Sequence, residues 1–341
     1  MNINKDKLIG YIKDLKNTKV LIIGDLAMDE MVYGDTERIS REAPVLILLH
    51  TETKNLLGAA SNAAHNASAI NSGKVSVIGV LGEDYQADQL KEAFKNANIN
   101  TEYLVYDASR KTTTKTRISG SCSQSVTQQI VRIDRQTSAP ISKETEDKVI
   151  AQMEKAIPLH DAIILSDYHI GVLTQRIIDR AIKLANEHNK VIVADIQKNF
   201  DKYKGVTSLT PNLPDTQKFL GFGLNSKGDF EKAGTILQNM IRPKSILVTC
   251  GDRGMMVIEP DYKITEIPVF NKSHVFDVTG AGDTVTAIYT MALSIGAEPV
   301  YAAVIGNIAA SIVIKQFGCA TTTIDELLEM VEKKEKELCI K

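Results

Sequence analysis

Asp277-Val-Thr-Gly-Ala-Gly-Asp283-Thr284 is the stretch on which the reading of this chain turns. Gly280 and Gly282 permit a tight turn in which backbone N–H groups converge, and a helix-compatible run follows directly. A helix start with unpaired amides attracts anions, because the free N–H groups and the helix dipole both favour negative charge. Asp283 at that point can accept a proton from an attacking hydroxyl, or it can simply cap the helix. These eight residues alone leave both readings open.

Upstream, short apolar runs at 20–23, 75–79, 162–165, 191–194 and 246–249 read as buried strands. Between them lie helical patterns at 84–96, 143–156, 174–188 and 227–240, with apolar residues three and four apart. Strands alternating with helices predict an α/β fold, a parallel sheet covered on both faces. Segments 31–51 and 101–134, rich in Thr, Val, Ile, Arg and Ser, break that rhythm and read as antiparallel ribbon, a small β lid. After Asp283 the pattern is helical at 283–295, 299–315 and 323–336. No repeat or linker divides the chain, so residues 1–341 are expected to form a single domain.

Composition narrows the function classes. Hydrophobic residues at 43% supply a sizeable core. The 40 Lys plus Arg nearly balance 42 Asp plus Glu, and Glu is interleaved with the lysines clustered at 333–336, which argues against a nucleic-acid binder. Cys122, Cys250, Cys319 and Cys339 lie too far apart for a zinc knuckle or disulfide framework. The polar first residues carry no signal-peptide pattern and no run reaches a membrane span, so a cytoplasmic protein is expected, with neither membrane nor nucleic acid as partner.

Other stretches carry chemistry only weakly by themselves. Gly24-Asp-Leu-Ala-Met-Asp29 follows the first strand, where ligands of open parallel sheets bind, and carboxylates there suit sugar hydroxyls; a polar loop is the plainer reading. Gly58-Ala-Ala-Ser-Asn62 allows close backbone approach or a tightly packed helix. In Thr210-Pro-Asn-Leu-Pro-Asp215, Asn212 and Asp215 face either phosphates and magnesium or an ordinary helix cap. Thr249-Cys-Gly251-Asp-Arg-Gly254 is a glycine turn leaving a strand. A nicotinamide-binding reading fails, since no GxGxxG follows the first strand.

Together and in this order, the pieces resemble the PfkB (ribokinase-like) carbohydrate kinases from about residue 19 to 325, with Asp277–Thr284 matching the family's most diagnostic signature. The resemblance implies a three-layer α/β/α fold with a β lid, ATP as donor and magnesium as metal. Residues 24–29, 38–45, 128–134, 165–171 and 210–213 look most like the heptose 7-phosphate kinases of ADP-heptose synthesis. That implies phosphorylation at the anomeric O1, by a chain too short for the nucleotidyltransferase domain some relatives carry.

By the same analogy Asp283 is the base, and Gly280, Ala281 and Gly282 form the anion hole. Gly58, Asp29 and Asn62 would sit at the sugar, with Asn212 and Asp215 near the phosphates and Asp215 facing the metal. Thr249 and Gly251 would line the nucleotide, and Asn307 its base. Lys115, Arg117 and Arg132 in the lid are candidates for the 7-phosphate, or a solvated ribbon face. A homodimer through the lid is expected. The chain departs from the family pattern at Ala59 (a glycine there), Asp215 (a glutamate) and Gln197 (a lysine). A kinase of another sugar or nucleoside, or a degraded kinase serving as a sugar-binding regulator, are the competing readings.

Overall fold

The computed structural model describes residues 3–122, 125–270, 276–316 and 318–333. In the strand Val20–Gly24, Val20 and Ile22 enter one apolar core while Leu21 and Ile23 enter another on the opposite face. The next strand over, Ala162–Asp167, divides the same way: Ala162 and Ile164 to one side, Ile163 and Leu165 to the other. A strand covered on both faces has no solvent-facing positions, which is why these stretches are unbroken apolar runs. Each fully buried Val, Leu or Ile among them contributes about 2 kcal/mol.

The main sheet has nine strands in the order Ile264–Ile267, Met255–Ile258, Ser245–Thr249, Ser208–Leu209, Val191–Ile196, Ala162–Asp167, Val20–Gly24, Val75–Ile78, Ile99–Asn100. The first three pair antiparallel and all later neighbours parallel. Helices Lys143–Ala156, Gln175–Glu187, Leu213–Leu220 and Lys227–Ile241 cover one face. Lys5–Asp14, Ala60–Asn71, Tyr85–Asn96, Ala281–Ser294, Pro299–Val313 and Ile324–Lys333 cover the other. The periodic runs match seven of these ten helices, while Lys5–Asp14 and Leu213–Leu220 fall outside them and Ala60–Asn71 is the packed-helix alternative for 58–62. In Lys143–Ala156, Val149, Met153 and Ala156 form a buried stripe, and Ser142 caps the helix by accepting from the Thr145 N–H. The last expected helix is described to Lys333; residues 334–336, and Cys339, lie outside the described residues.

A four-stranded lid, in the order Leu46–Ala59, Leu26–Ile39, Thr114–Cys122, Ser125–Arg135, rises from the main sheet. It begins earlier than the sequence suggests, because only Asp25 separates the first core strand from Leu26–Ile39. Residues 101–113, expected in the lid, are instead anchored to the body. Val105–Tyr106 pairs with Val80–Leu81. The Arg110 guanidinium donates to the carbonyls of Thr137, Ala139 and Ile170. No described helix is long and apolar enough to cross a membrane.

Candidate active site

Asp283 lies in the first turn of Ala281–Ser294 and is 5% exposed. Its carboxylate does not cap its own helix: Oδ2 accepts from Asn62 Nδ2 at 2.8 Å and Oδ1 from the Tyr168 hydroxyl at 2.6 Å. Burial pushes Asp283 up to about 6, against the opposing pull of these two hydrogen bonds and of Lys115. Gly280 has φ +77, and a Cβ there would lie 2.3 Å from Asn62 Nδ2, so the turn and its close approach to Asn62 both demand glycine. Ala281 N–H is spent on Val278 O, whereas the N–H groups of Gly282 and Asp283 have no partner among the described residues. A Cβ on Gly282 would meet open space.

That open space is a cavity of ≈ 140 Å³ lined by Tyr168, Asp195, Asn212, Thr249, Gly282 and Asp283, among others. Asn212 caps Leu213–Leu220 by accepting from the Asp215 N–H, and its own amide donates to Asp215 Oδ2 at 2.7 Å. Asp195, next to last in the core strand Val191–Ile196, lines this cavity, and burial, with the fields of Asp283, Asp215 and Asp167, pushes it up to about 8. Gly251 lies exposed beyond Thr249. Asn307 is buried and donates to Pro268 O at 2.8 Å, tying its helix to the end of the sheet.

A larger cavity, ≈ 770 Å³, lies under the lid, and Asp277 and Thr279 of the signature turn are part of its wall. The turn 277–283 therefore borders both cavities. Asp29, Met31 and Tyr33 face the larger one from one strand, Lys54 and Leu56 from the next, and Arg117 and Ser119 from a third, as the two-residue period of cross-paired strands requires. Asp29 is buried and ion-paired with Arg117 at 2.7 Å. Gly58 makes room for it, since a Cβ there would sit 2.8 Å from the Asp29 carboxyl carbon. Lys54 pairs with Glu52 and Arg132 with Asp134; Arg132 is half-exposed and outside the cavity wall. Lys115 stands over the Tyr168 ring, 5.4 Å from its centroid.

The sequence model described as pfkB family carbohydrate kinase matches residues 17–326. The chain belongs to the pfkB family of carbohydrate kinases. It is 35% identical over 310 residues to the bifunctional protein HldE of Desulfatibacillum aliphaticivorans, across 91% of this chain and 62% of that protein. The protein of the same name from Helicobacter hepaticus is 35% identical over 324 residues, 95% of this chain and 66% of that one. The kinase thus spans less than two thirds of the length of either relative. Its fold matches Arabidopsis thaliana ribokinase complexed with ribose and ATP (TM-score 0.69, 16% identity, 92% of this chain and 99% of that one). It also matches Escherichia coli phosphofructokinase-2 in complex with potassium (TM-score 0.73, 13% identity, 93% and 99%). The α/β/α, ribokinase-like fold with a lid is the one expected.

Three residues of this candidate site carry no role in the sequence reading. Tyr168 sits inside the noted stretch 165–171, but its partner is 115 residues away, beyond any spacing argument. Asp195 could have been found from the rule that ligands gather at strand carboxyl ends. Asp25 accepts from the N–H groups of Tyr168, Ile170 and Val172, and so shapes the loop that presents Tyr168. Among the described residues no cluster of three or more His, Cys, Asp or Glu could hold a metal by itself.

Proposed function

We propose that this kinase transfers the terminal phosphoryl group of ATP to O1 of heptose 7-phosphate, with Asp283 as base. The observation that carries the reading is the position of the signature turn, which borders a small cavity on the side of Asp195 and Asn212 and a larger one under the lid. A donor on one side and an acceptor on the other would meet at Asp283.

Asp283 accepts the proton from the attacking hydroxyl. Each carboxylate oxygen already takes one hydrogen bond, from Asn62 or Tyr168, and retains a second lone-pair direction for the substrate. Asn62 therefore acts chiefly by holding the base. The free N–H groups of Gly282 and Asp283 face the place where phosphoryl charge develops. Magnesium fits the donor set: Asp195 and Asp215 supply two carboxylates, enough for a cation completed by water and phosphate oxygens. When bound it would neutralise charge on the phosphates.

On the lid side, Asp29 takes sugar hydroxyls, and Arg117 and Lys54, each sharing its charge with a carboxylate, are the cations on the cavity wall for the remote phosphate. The 35% identity to HldE proteins favours a heptose over other sugars. Ile39, Leu46, Leu49 and Ile133 leave the lid apolar and exposed, which suits pairing with a second copy of the chain. A cytoplasmic setting accords with the substrates.

The test is ADP release with magnesium, ATP and a panel of heptose 7-phosphate, sedoheptulose 7-phosphate, fructose 6-phosphate, fructose and ribose. Turnover confined to heptose 7-phosphate is expected. Preference for an unphosphorylated sugar would retain the kinase and discard the heptose.

A further inference from the structure

Lys115 and Arg117 are two residues apart on one lid strand and share a face, yet they stand in different places. Arg117 borders the large cavity and pairs with Asp29. Lys115 does neither. In the strand register its two cross-strand neighbours are Asp29 and Asp134, either of which could have neutralised it. Arg117 holds the first. Arg132 holds the second through both carboxylate oxygens, at 2.8 and 2.9 Å. Lys115 is left without an ion pair among the described residues, half-buried, with its ammonium against the face of Tyr168, whose hydroxyl donates to Asp283.

We propose that Lys115 is a catalytic residue of the transfer step, contacting the phosphoryl group as it passes to the acceptor, and not a ligand of the remote sugar phosphate. The inference rests on the kinase reading above. An attacking hydroxyl must lie within hydrogen-bond reach of Asp283, and the phosphorus it attacks lies one bond beyond. A cation held beside Asp283, near the free N–H groups of Gly282 and Asp283, therefore borders the place where equatorial oxygens gather charge. Two neighbouring arginines engage the nearby carboxylates and so keep the ammonium available. Lys115 reaches the site from the lid, so lid placement and phosphoryl stabilisation are linked through one side chain. Other titratable groups that act on or are acted on by Asp283 include Asp29, Asp195, Tyr168 and Cys319. Lys115 is the cation whose field opposes burial and pulls Asp283 downward.

Two experiments on the full chain test this. In the first, lysines are reductively methylated with 13C-formaldehyde, and the Lys115 signal is assigned by its loss in Lys115→Arg. The Lys115 signal is expected to shift with magnesium and a non-hydrolysable ATP analogue but not with magnesium ADP or inorganic phosphate alone. An unmoved signal while the analogue binds, or an equal shift with ADP, overturns the proposal. This arm needs no sugar, so it decides the role of Lys115 even if the heptose assignment fails.

In the second, Lys115→Met is expected to lower kcat about 100-fold, with the sugar KM within about threefold, and Lys115→Arg to recover about tenfold. Unchanged kcat with a raised KM for the phosphorylated sugar would place Lys115 at the remote phosphate and overturn the proposal.

Discussion

On the sheet side of the site, Asp25, Asp195 and Asp283 have no ion pair among the described residues. On the lid, Asp29, Glu52 and Asp134 are matched one to one with Arg117, Lys54 and Arg132. Burial pushes the first three up to about 6, about 8 and about 6. Asp25 is met by three N–H groups and Asp283 by an amide and a phenol, so the sheet side answers carboxylates with neutral donors. The lid answers Asp29, Glu52 and Asp134 with charges. A sheet side poor in cations suits a ligand that arrives with its own, as a metal-bound nucleotide does, whereas on the lid these three carboxylates are neutralised before anything binds and Lys115 is left over.

The contrast breaks first at Asp283. Asp283→Asn is expected to lower kcat about 10³-fold while nucleotide affinity, measured by calorimetry, stays within about threefold, because the amides of the turn remain. For the intact chain, turnover should rise with pH through about 6, since only the ionised carboxylate can accept the proton and burial has raised Asp283 to that value. Turnover that is flat from pH 5 to 8 would remove Asp283 from the step.

Asp25→Ala orphans three N–H groups and should reduce the unfolding free energy by about 3 kcal/mol in urea titrations. An effect on kcat at full stability would instead make Asp25 part of the chemistry.

On the lid, Arg117→Gln should raise KM for a phosphorylated sugar about tenfold and leave Asp29 buried without its cation. If KM for phosphorylated and unphosphorylated sugars changes equally, the arginine serves Asp29 alone and not the phosphate.

The smallest effect is expected at Ala59, where the lid returns to the body with φ 50 and ψ −133. Few L residues tolerate that conformation, so Ala59→Gly should stabilise the chain by about 1 kcal/mol, read as a higher melting temperature.

What the sequence discloses differs between the two regions for the same physical reason. Core strands such as Val20–Gly24 are apolar at every position because both faces are covered, and the turn at Gly280–Asp283 is written in consecutive residues. Local pattern suffices for both. The antiparallel end of the sheet, Met255–Ile258 and the edge strand Ile264–Ile267, is not legible, since each strand is only four residues long and the edge strand is partly exposed. The lid's boundaries depend on which Thr-rich segments find lid partners, whereas within 101–113 Val105–Tyr106 pairs with Val80–Leu81 and Arg110 bonds the carbonyls of Thr137, Ala139 and Ile170. Its ion pairs join residues such as Asp29 and Arg117 that only the register brings together. Arg132 illustrates the limit: it is a cation on the correct strand whose charge is absorbed by Asp134 two residues away.

The central claim is transfer of a phosphoryl group to O1 of a sugar that already carries one. Phosphorus-31 NMR of the kinase with ATP, magnesium and heptose 7-phosphate tests it most directly. The account predicts a second sugar phosphorus signal, coupled to the anomeric proton, that grows in step with ADP while the 7-phosphate signal persists. ADP forming with inorganic phosphate and no new sugar signal would contradict it.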